Sequence, residues 1–267
     1  MENDRIIVLL TDFGTKDYFV GAMKGAILAV NQRAQIVDIT HEISPQDIRA
    51  ASFTLRTCYR NFPPQTIFVG VVDPGVGSER RAILIETINY FFIAPDNGLL
   101  SFVFDEAENF SVFELTNRKF FAANVSATFH GRDIFAPVAA HLSNGAKAEN
   151  FGAEIKDFIR FAETKPHKIS ENEMQAEIIH IDRFGNLITN LKREDLPENF
   201  VLEIGEKWIE KLLEFFADAE TDEVFMIFGS ANYLEIAAFQ DSAQRLLNIK
   251  IGQKITVAKT SEKFRKP

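Results

Sequence analysis

Cysteine is almost missing from this chain, with Cys58 alone among 267 residues. One thiol excludes an intrachain disulfide framework and fits a reducing, cytoplasmic compartment. Cys58 sits inside an apolar helical pattern and reads as a core thiol. Tryptophan is as scarce, with one residue. No apolar run approaches the roughly 18 residues of a membrane span, and Met1-Glu2-Asn3-Asp4-Arg5 lacks a signal-peptide pattern. Positive charge is not in excess: the net charge of -9 argues against nucleic acid as a partner. The short basic stretch Lys263-Phe264-Arg265-Lys266-Pro267 reads as a frayed terminus. Also absent are a G-x-x-x-x-G-K-[ST] phosphate loop, a G-x-G-x-x-G fingerprint, a G-x-S-x-G elbow and any His/Cys cluster with metal-ligand spacing. These absences exclude the commonest α/β enzyme classes, and neither a cofactor nor a metal is expected.

What is present is an ordinary globular balance, 46% hydrophobic and 25% charged, with 26 phenylalanines. Ile6–Leu10, Gln35–Ile39 and Thr66–Gly70 read as strands. A helix is expected after the first, with Asp17 as its N-cap. Another is expected after the second, with Ser44 as N-cap and Pro45 at its first position. This β-α-β-α-β alternation predicts a mainly parallel sheet with helices on its faces. Strands Ala82–Glu86 and Tyr90–Ile93 follow, then a helix capped by Asp133. The character changes after about residue 150, and from Glu177 onward the pattern is one of short strands separated by Gly, Asp and Asn. The expected organisation is an α/β domain over 1–163, a linker near Thr164–Lys168, and an all-β, barrel-like domain over 170–267.

The densest chemistry lies at Val71-Val72-Asp73-Pro74-Gly75-Val76-Gly77-Ser78-Glu79-Arg80. A carboxylate stands where a core strand ends, and sites in open α/β sheets form at such ends. Pro74, Gly75 and Gly77 force a tight turn that can return the Arg80 guanidinium to Asp73. The alternative is a structural ion pair closing a loop. Asp12 with Asp17, and Asp96 with Asn97, also follow strand ends. Asp12 has the acceptor oxygens to bind the vicinal hydroxyls of a ribose, or equally to cap a turn. His130, beside a helix start, can bond a water or oxyanion, or simply pack at a domain edge. From the residues alone the reading is a two-domain protein that binds a small polar molecule lacking nucleotide phosphates.

Seven segments, in order along nearly the whole chain, carry a resemblance. They are Leu10-Thr11-Asp12-Phe13-Gly14, Ile39-Thr40-His41-Glu42-Ile43, Val72-Asp73-Pro74-Gly75-Val76-Gly77, Ala94-Pro95-Asp96-Asn97-Gly98-Leu99-Leu100, Thr128-Phe129-His130-Gly131-Arg132-Asp133, Asp182-Arg183-Phe184-Gly185-Asn186 and Tyr233-Leu234-Glu235-Ile236-Ala237. Together they resemble the S-adenosyl-L-methionine hydroxide adenosyltransferases, or SAM hydrolases, which are related to fluorinating and chlorinating SAM enzymes. The resemblance implies hydrolysis of S-adenosylmethionine to adenosine and methionine by attack of water or hydroxide on ribose C5′. It implies a homotrimer with sites between the N-domain of one subunit and the C-domain of the next. Asp73, Arg80 and His130 would hold the attacking water, and Asp12 the ribose hydroxyls. Asp17, Asp182 and Ser230 would hold the methionine end, and Asn186 the adenine edge. Phe215 or Phe216 would stack on adenine, and Phe129 would line the pocket near the ribose. Arg81 to Ala94 is too short for the insertion of the halogenating relatives, and the fluorinating ones lack the Asp and His present here. The rival expectations are a halide-using adenosyltransferase and a SAM- or adenosine-binding module with negligible turnover. Ala238–Ala243 is poorer in glycine than the family pattern.

Overall fold

The computed structural model describes residues 5–260. The chain divides into two compact units, Met1–Phe161 and Ala162–Pro267. The basic stretch at 263–267 lies outside the described residues.

The first unit has strands β1 (Ile7–Thr11), β2 (Ile36–Thr40), β3 (Ile67–Val71), β4 (Ala82–Thr87), β5 (Phe91–Pro95), β6 (Phe110–Glu114) and β7 (Glu154–Ile155). They form one sheet in the order β2-β1-β3-β5-β4-β6-β7. β1 and β3 are buried along their whole length. Their pleat sends Ile7 and Leu9 to one face and Val8 and Leu10 to the other, so apolar residues run without alternation. One face is covered by α1 (Phe19–Val30) through Met23 and Ile27, and by residues 129–142. The other is covered by α2 (Ile48–Cys58) through Ala51 and Leu55, and by α3 (Ser101–Glu106) through Phe102 and Val103. Cys58 is half-buried, its Sγ 3.2 Å from the Thr54 carbonyl, and burial pushes its thiol up to about 11. It is therefore a protonated, unreactive thiol at neutral pH.

The expectation of a mainly parallel sheet needs correction. β1, β2, β3 and β5 pair in parallel, but β4 is antiparallel to β5 and β6, and β7 is antiparallel to β6. The cause is local. The Thr87 amide and the Tyr90 carbonyl bond at 2.9 Å, closing a two-residue turn that leaves no room for a crossover. The expected helix starts also shift. α1 has Tyr18, not Asp17, at its N-cap. α2 is capped by Asp47, which accepts from the Ala50 amide, because Gln46 is left-handed (φ 68°) and ends any helix begun at Pro45. Asp133 caps nothing. It lies inside a π-helical turn, Gly131–Phe135, that runs into α4 (Ala136–Ser143).

The second unit contains β8 (His167–Lys168), β9 (Glu173–Ile181), β10 (Leu187–Lys192), β11 (Phe200–Ile204), β12 (Lys207–Ile209), β13 (Leu212–Leu213), β14 (Val224–Phe228), β15 (Tyr233–Ala238) and β16 (Lys254–Lys259). The sheet order is β12-β11-β16-β9-β10-β15-β14-β13, with β8 on β9. Its core includes Ile178, Leu187, Leu191, Leu202, Ile236 and Val257. A short helix, α5 (Ala243–Leu247), with Ser242 capping the Arg245 amide, makes this unit β-rich rather than all-β. The stretch expected as linker carries β8, which pairs with Gln175 and Met174.

Candidate active site

Thr11 pairs with Val71 in register, so Asp12 and Asp73 leave neighbouring strand ends at one edge of the first sheet. The turn after β3 is held by the Val76 amide on the Asp73 carbonyl at 3.2 Å and the Ser78 Oγ on the Gly75 carbonyl at 2.7 Å. Gly77 is left-handed (φ 78°), and a Cβ there would overlap the Ala127 carbonyl. Glycine is thus required both for the turn and for the approach of the segment that carries His130.

This turn returns Arg80 to Asp73. Arg80 Nε donates to Asp73 Oδ1 at 2.9 Å and Nη2 donates to Oδ2, a bidentate pair. The side chains are 6% and 10% exposed for Asp73 and Arg80. Removing one member of a buried pair like this costs about 3–5 kcal/mol. The Arg80 guanidinium also lies over the Phe135 ring, 5.3 Å from its centre. Its Nη2 stands 2.8 Å from His130 Nδ1. Burial first, and then the Arg80 charge, pull the His130 pKa down from its ordinary value, against Asp73 and Asp133. The structure therefore gathers Asp73, Arg80 and His130 into one hydrogen-bonded set.

Asp12 Oδ2 accepts from the Gln46 amide at 2.8 Å, which ties the end of β1 to the approach of α2. Thr11 Oγ1 and His41 Nδ1 are 2.9 Å apart, and Gly14 donates to the His41 carbonyl at 2.7 Å. Asp17 is exposed. Phe129 is buried, edge-on to Phe13 and Phe19. Asp96 and Asn97 serve local structure. Asp96 pairs with Arg81 and accepts from the Ile159 amide, while Asn97 donates to the Val72 carbonyl.

In the second unit, Asp182 Oδ1 accepts from the Phe184 and Asn186 amides, and Oδ2 accepts from Asn186 Nδ2 at 2.8 Å. These two residues are together in the β9–β10 turn. Ser230 is exposed in the β14–β15 turn. Phe216 packs edge-on to Phe225, whereas Phe215 is 64% exposed. Gln240 (φ 57°) adopts the left-handed conformation without glycine, so the glycine-poor stretch still turns. Three residues were given no functional role by the sequence reading. Phe135 lies under Arg80, and Asp133 ties down the segment before His130. Glu235 sits against Gly229, its carboxyl pushed up to about 7 by burial and by the charge of Asp182. Among the described residues no group of three or more His, Cys, Asp or Glu is placed to hold a metal ion, and no helix is long and apolar enough to cross a membrane.

The geometry can be set beside known proteins. The family model of the SAM hydroxide adenosyltransferase N-terminal domain matches residues 7–152, and that of the C-terminal domain matches 176–256. An (R)-S-adenosyl-L-methionine hydrolase from Methanocaldococcus jannaschii is 37% identical, covering 91% of this chain and 92% of its own length. A fluorinase from Actinoplanes sp. is 28% identical, covering 95% of this chain and 97% of its own. A crystal structure of an uncharacterized conserved protein from Thermotoga maritima superposes with a TM-score of 0.88 at 37% identity, covering 95% of this chain and all of that one. In both of its units, this chain belongs to the SAM hydroxide adenosyltransferase family.

Proposed function

We propose that this protein hydrolyses S-adenosyl-L-methionine to adenosine and L-methionine, by attack of water or hydroxide on ribose C5′. The observation that carries the reading is the buried Asp73–Arg80–His130 set, in a chain whose similar relative is named a hydrolase. That relative's name specifies the (R) form, and we extend this preference to the present chain.

The sulfonium already activates C5′, and methionine leaves as a neutral thioether that needs no acid. The difficulty is the nucleophile. Water has a pKa of about 15.7 and a free Asp about 3.9, so complete proton transfer from water to an ordinary carboxylate is uphill by roughly 16 kcal/mol. Free hydroxide is therefore not made first: the water proton passes to the Asp73 carboxylate as the C5′–O bond forms and the C5′–S electron pair leaves with methionine. Positive charge must stabilise the anion as it develops, and Arg80 and the substrate sulfonium supply it. Arginine only donates, so His130 Nδ1 is an acceptor and the proton of the neutral ring is on Nε2. In this role His130 donates to the nucleophile rather than removing its proton. An anion meeting a cation loses charge at the transition state, so exclusion of water favours the reaction.

The remaining roles follow the same reading. Asp12 binds the ribose hydroxyls, and Phe129 lines the pocket near the ribose. Asp17, Asp182 and Ser230 hold the methionine end, Asn186 holds the adenine edge, and Phe215 or Phe216 stacks on the ring. Such sites lie between subunits of a homotrimer acting in the cytoplasm, with the second unit as the barrel-like half. The exposure of Phe215, Phe216 and Tyr18 in the single chain supports burial in an assembly.

Chromatography of S-adenosylmethionine incubated with the protein, with and without chloride, tests this. Equal adenosine and methionine, independent of chloride and lost in His130→Ala, is expected. A halogenated nucleoside would place the protein with the halide-using adenosyltransferases. Against that, the fluorinase alignment runs to 290 positions, longer than this whole chain, so the fluorinase carries residues without counterpart here. Intact substrate would leave a binding module.

A further inference from the structure

We propose that Asp133 is a positioning residue that holds His130 in register with Asp73 and Arg80. The kinetic part of this proposal rests on the hydrolase reading; the structural part does not.

Residues 121–129 contain no helix or strand, yet they deliver His130 to within 2.8 Å of Arg80. Such a segment needs external ties to keep one conformation. Asp133 provides three. Its Oδ2 accepts from the Ser126 amide at 2.8 Å, its carbonyl accepts from the Ala122 amide at 2.8 Å, and its amide donates to the Phe129 carbonyl at 3.2 Å. The side chain is 2% exposed. Burial alone would raise its pKa, but the hydrogen bonds from Arg132 and Ser126 hold the carboxyl below the usual range, so it stays an anion.

Arg132 extends the tie. Its Nε and Nη2 bond the two Asp133 oxygens at 2.6 and 3.0 Å, and its guanidinium lies over the Phe129 ring at 5.1 Å. Asp133 thus fixes both the backbone and, through Arg132, the ring that precede His130. The stretch it anchors also packs on the Asp73 turn, where a Cβ at Gly77 would meet the Ala127 carbonyl. The π-helical turn completes the arrangement, since its last residue, Phe135, lies under Arg80. The charges that face His130 are Arg80 and Asp73 from the turn after β3, and Asp133 from its own turn. Arg80 favours the neutral ring and both carboxylates oppose it.

The test is a nitrogen-15 NMR titration of His130 in substrate-free protein, with parallel kinetics. Asp133→Asn keeps an acceptor for Ser126 and removes the charge, so His130 should titrate lower than in the parent. Arg132→Gln leaves the Asp133 charge less compensated, so His130 should titrate higher. In Asp133→Asn, kcat should fall at least about tenfold with KM within about threefold. Loss of a purely structural tie would not move His130 in opposite directions in the two variants. An unmoved titration in both, movement in the same direction, or kcat within about twofold of the parent in Asp133→Asn would overturn the proposal. Opposite shifts in a protein that leaves S-adenosylmethionine intact would sink the hydrolase reading while the positioning of His130 stands.

Discussion

Arg80 Nη2 and His130 Nδ1 stand 2.8 Å apart, and that separation permits only one tautomer of the ring. A guanidinium has no acceptor, so a proton on Nδ1 would set two donors against each other. Burial and the Arg80 charge both act the same way, keeping the His130 pKa below 6.5. Turnover should therefore be level near neutral pH and fall with a midpoint below 6.5. The folded protein binds fewer protons at this site than the unfolded chain, so stability from the neutral ring is present above 6.5 and lost as pH falls. A pH profile of kcat/KM checks this. A limb centred above 6.5, or one that persists unchanged in the residual activity of His130→Gln, would contradict the assignment.

If Asp73 and His130 act on the nucleophile rather than on binding, the kinetic constants should separate. Asp73→Asn and His130→Ala should each lower turnover by at least about 10² with little change in KM. Arg80→Lys should also be damaging, because an ammonium cannot meet both Asp73 oxygens and His130 together. Single-turnover assays separate chemistry from product release. Unchanged turnover in both the Asp73 and His130 variants would dismiss the set as structural.

The part of this geometry that could be read from sequence is the part held by local rules. Apolar runs gave β1 and β3, and Pro74-Gly75-Val76-Gly77 after a strand foretold the return of Arg80 to Asp73. The start of α2 was hidden because Ser44-Pro45 satisfies every local rule for an N-terminus, while the left-handed Gln46 moves the cap to Asp47. Asp133 reads equally well as a cap. Its true place inside a π-helical turn depends on the Ser126 amide and Arg132, which no periodicity reveals. The direction of β4 was obscured for a similar reason, since the deciding feature is one hydrogen-bonded turn at Thr87–Tyr90. Local chemistry was legible; contacts between distant segments were not.

Asp12 offers a separate test of the nucleoside half of the site. One oxygen of its carboxylate is held by the Gln46 amide, and in the proposed site this carboxylate meets the ribose hydroxyls. A single hydrogen bond from a ribose hydroxyl to a charged acceptor is worth about 1.5–3 kcal/mol, so the net loss of one is enough to be measured. Asp12→Ala should therefore weaken adenosine binding by roughly 10- to 10²-fold. Calorimetry with adenosine reads this directly, without turnover. Unaltered affinity would remove Asp12 from the ribose subsite.

Glu235 makes the stability of the protein depend on pH. Its carboxyl is pushed up to about 7, first by burial and then by Asp182, whose own oxygens are bonded to Asn186 and to the Phe184 and Asn186 amides. The folded protein therefore holds a proton here that the unfolded chain, with an ordinary value of 4.5, has already released. Between about 4.5 and 7 the folded state binds more protons, so stability falls as pH rises through that window. Glu235→Gln keeps the shape and removes the titration. Glu235 is only half-buried, so the effect is discounted to the order of 1 kcal/mol, or about 2–4 °C in Tm at this chain length. The variant should melt that much higher than the parent at pH 8 and match it near pH 4.5. Thermal melts across this range decide it: a gain of equal size at both pH values would mean that packing, not ionisation, sets the cost of Glu235.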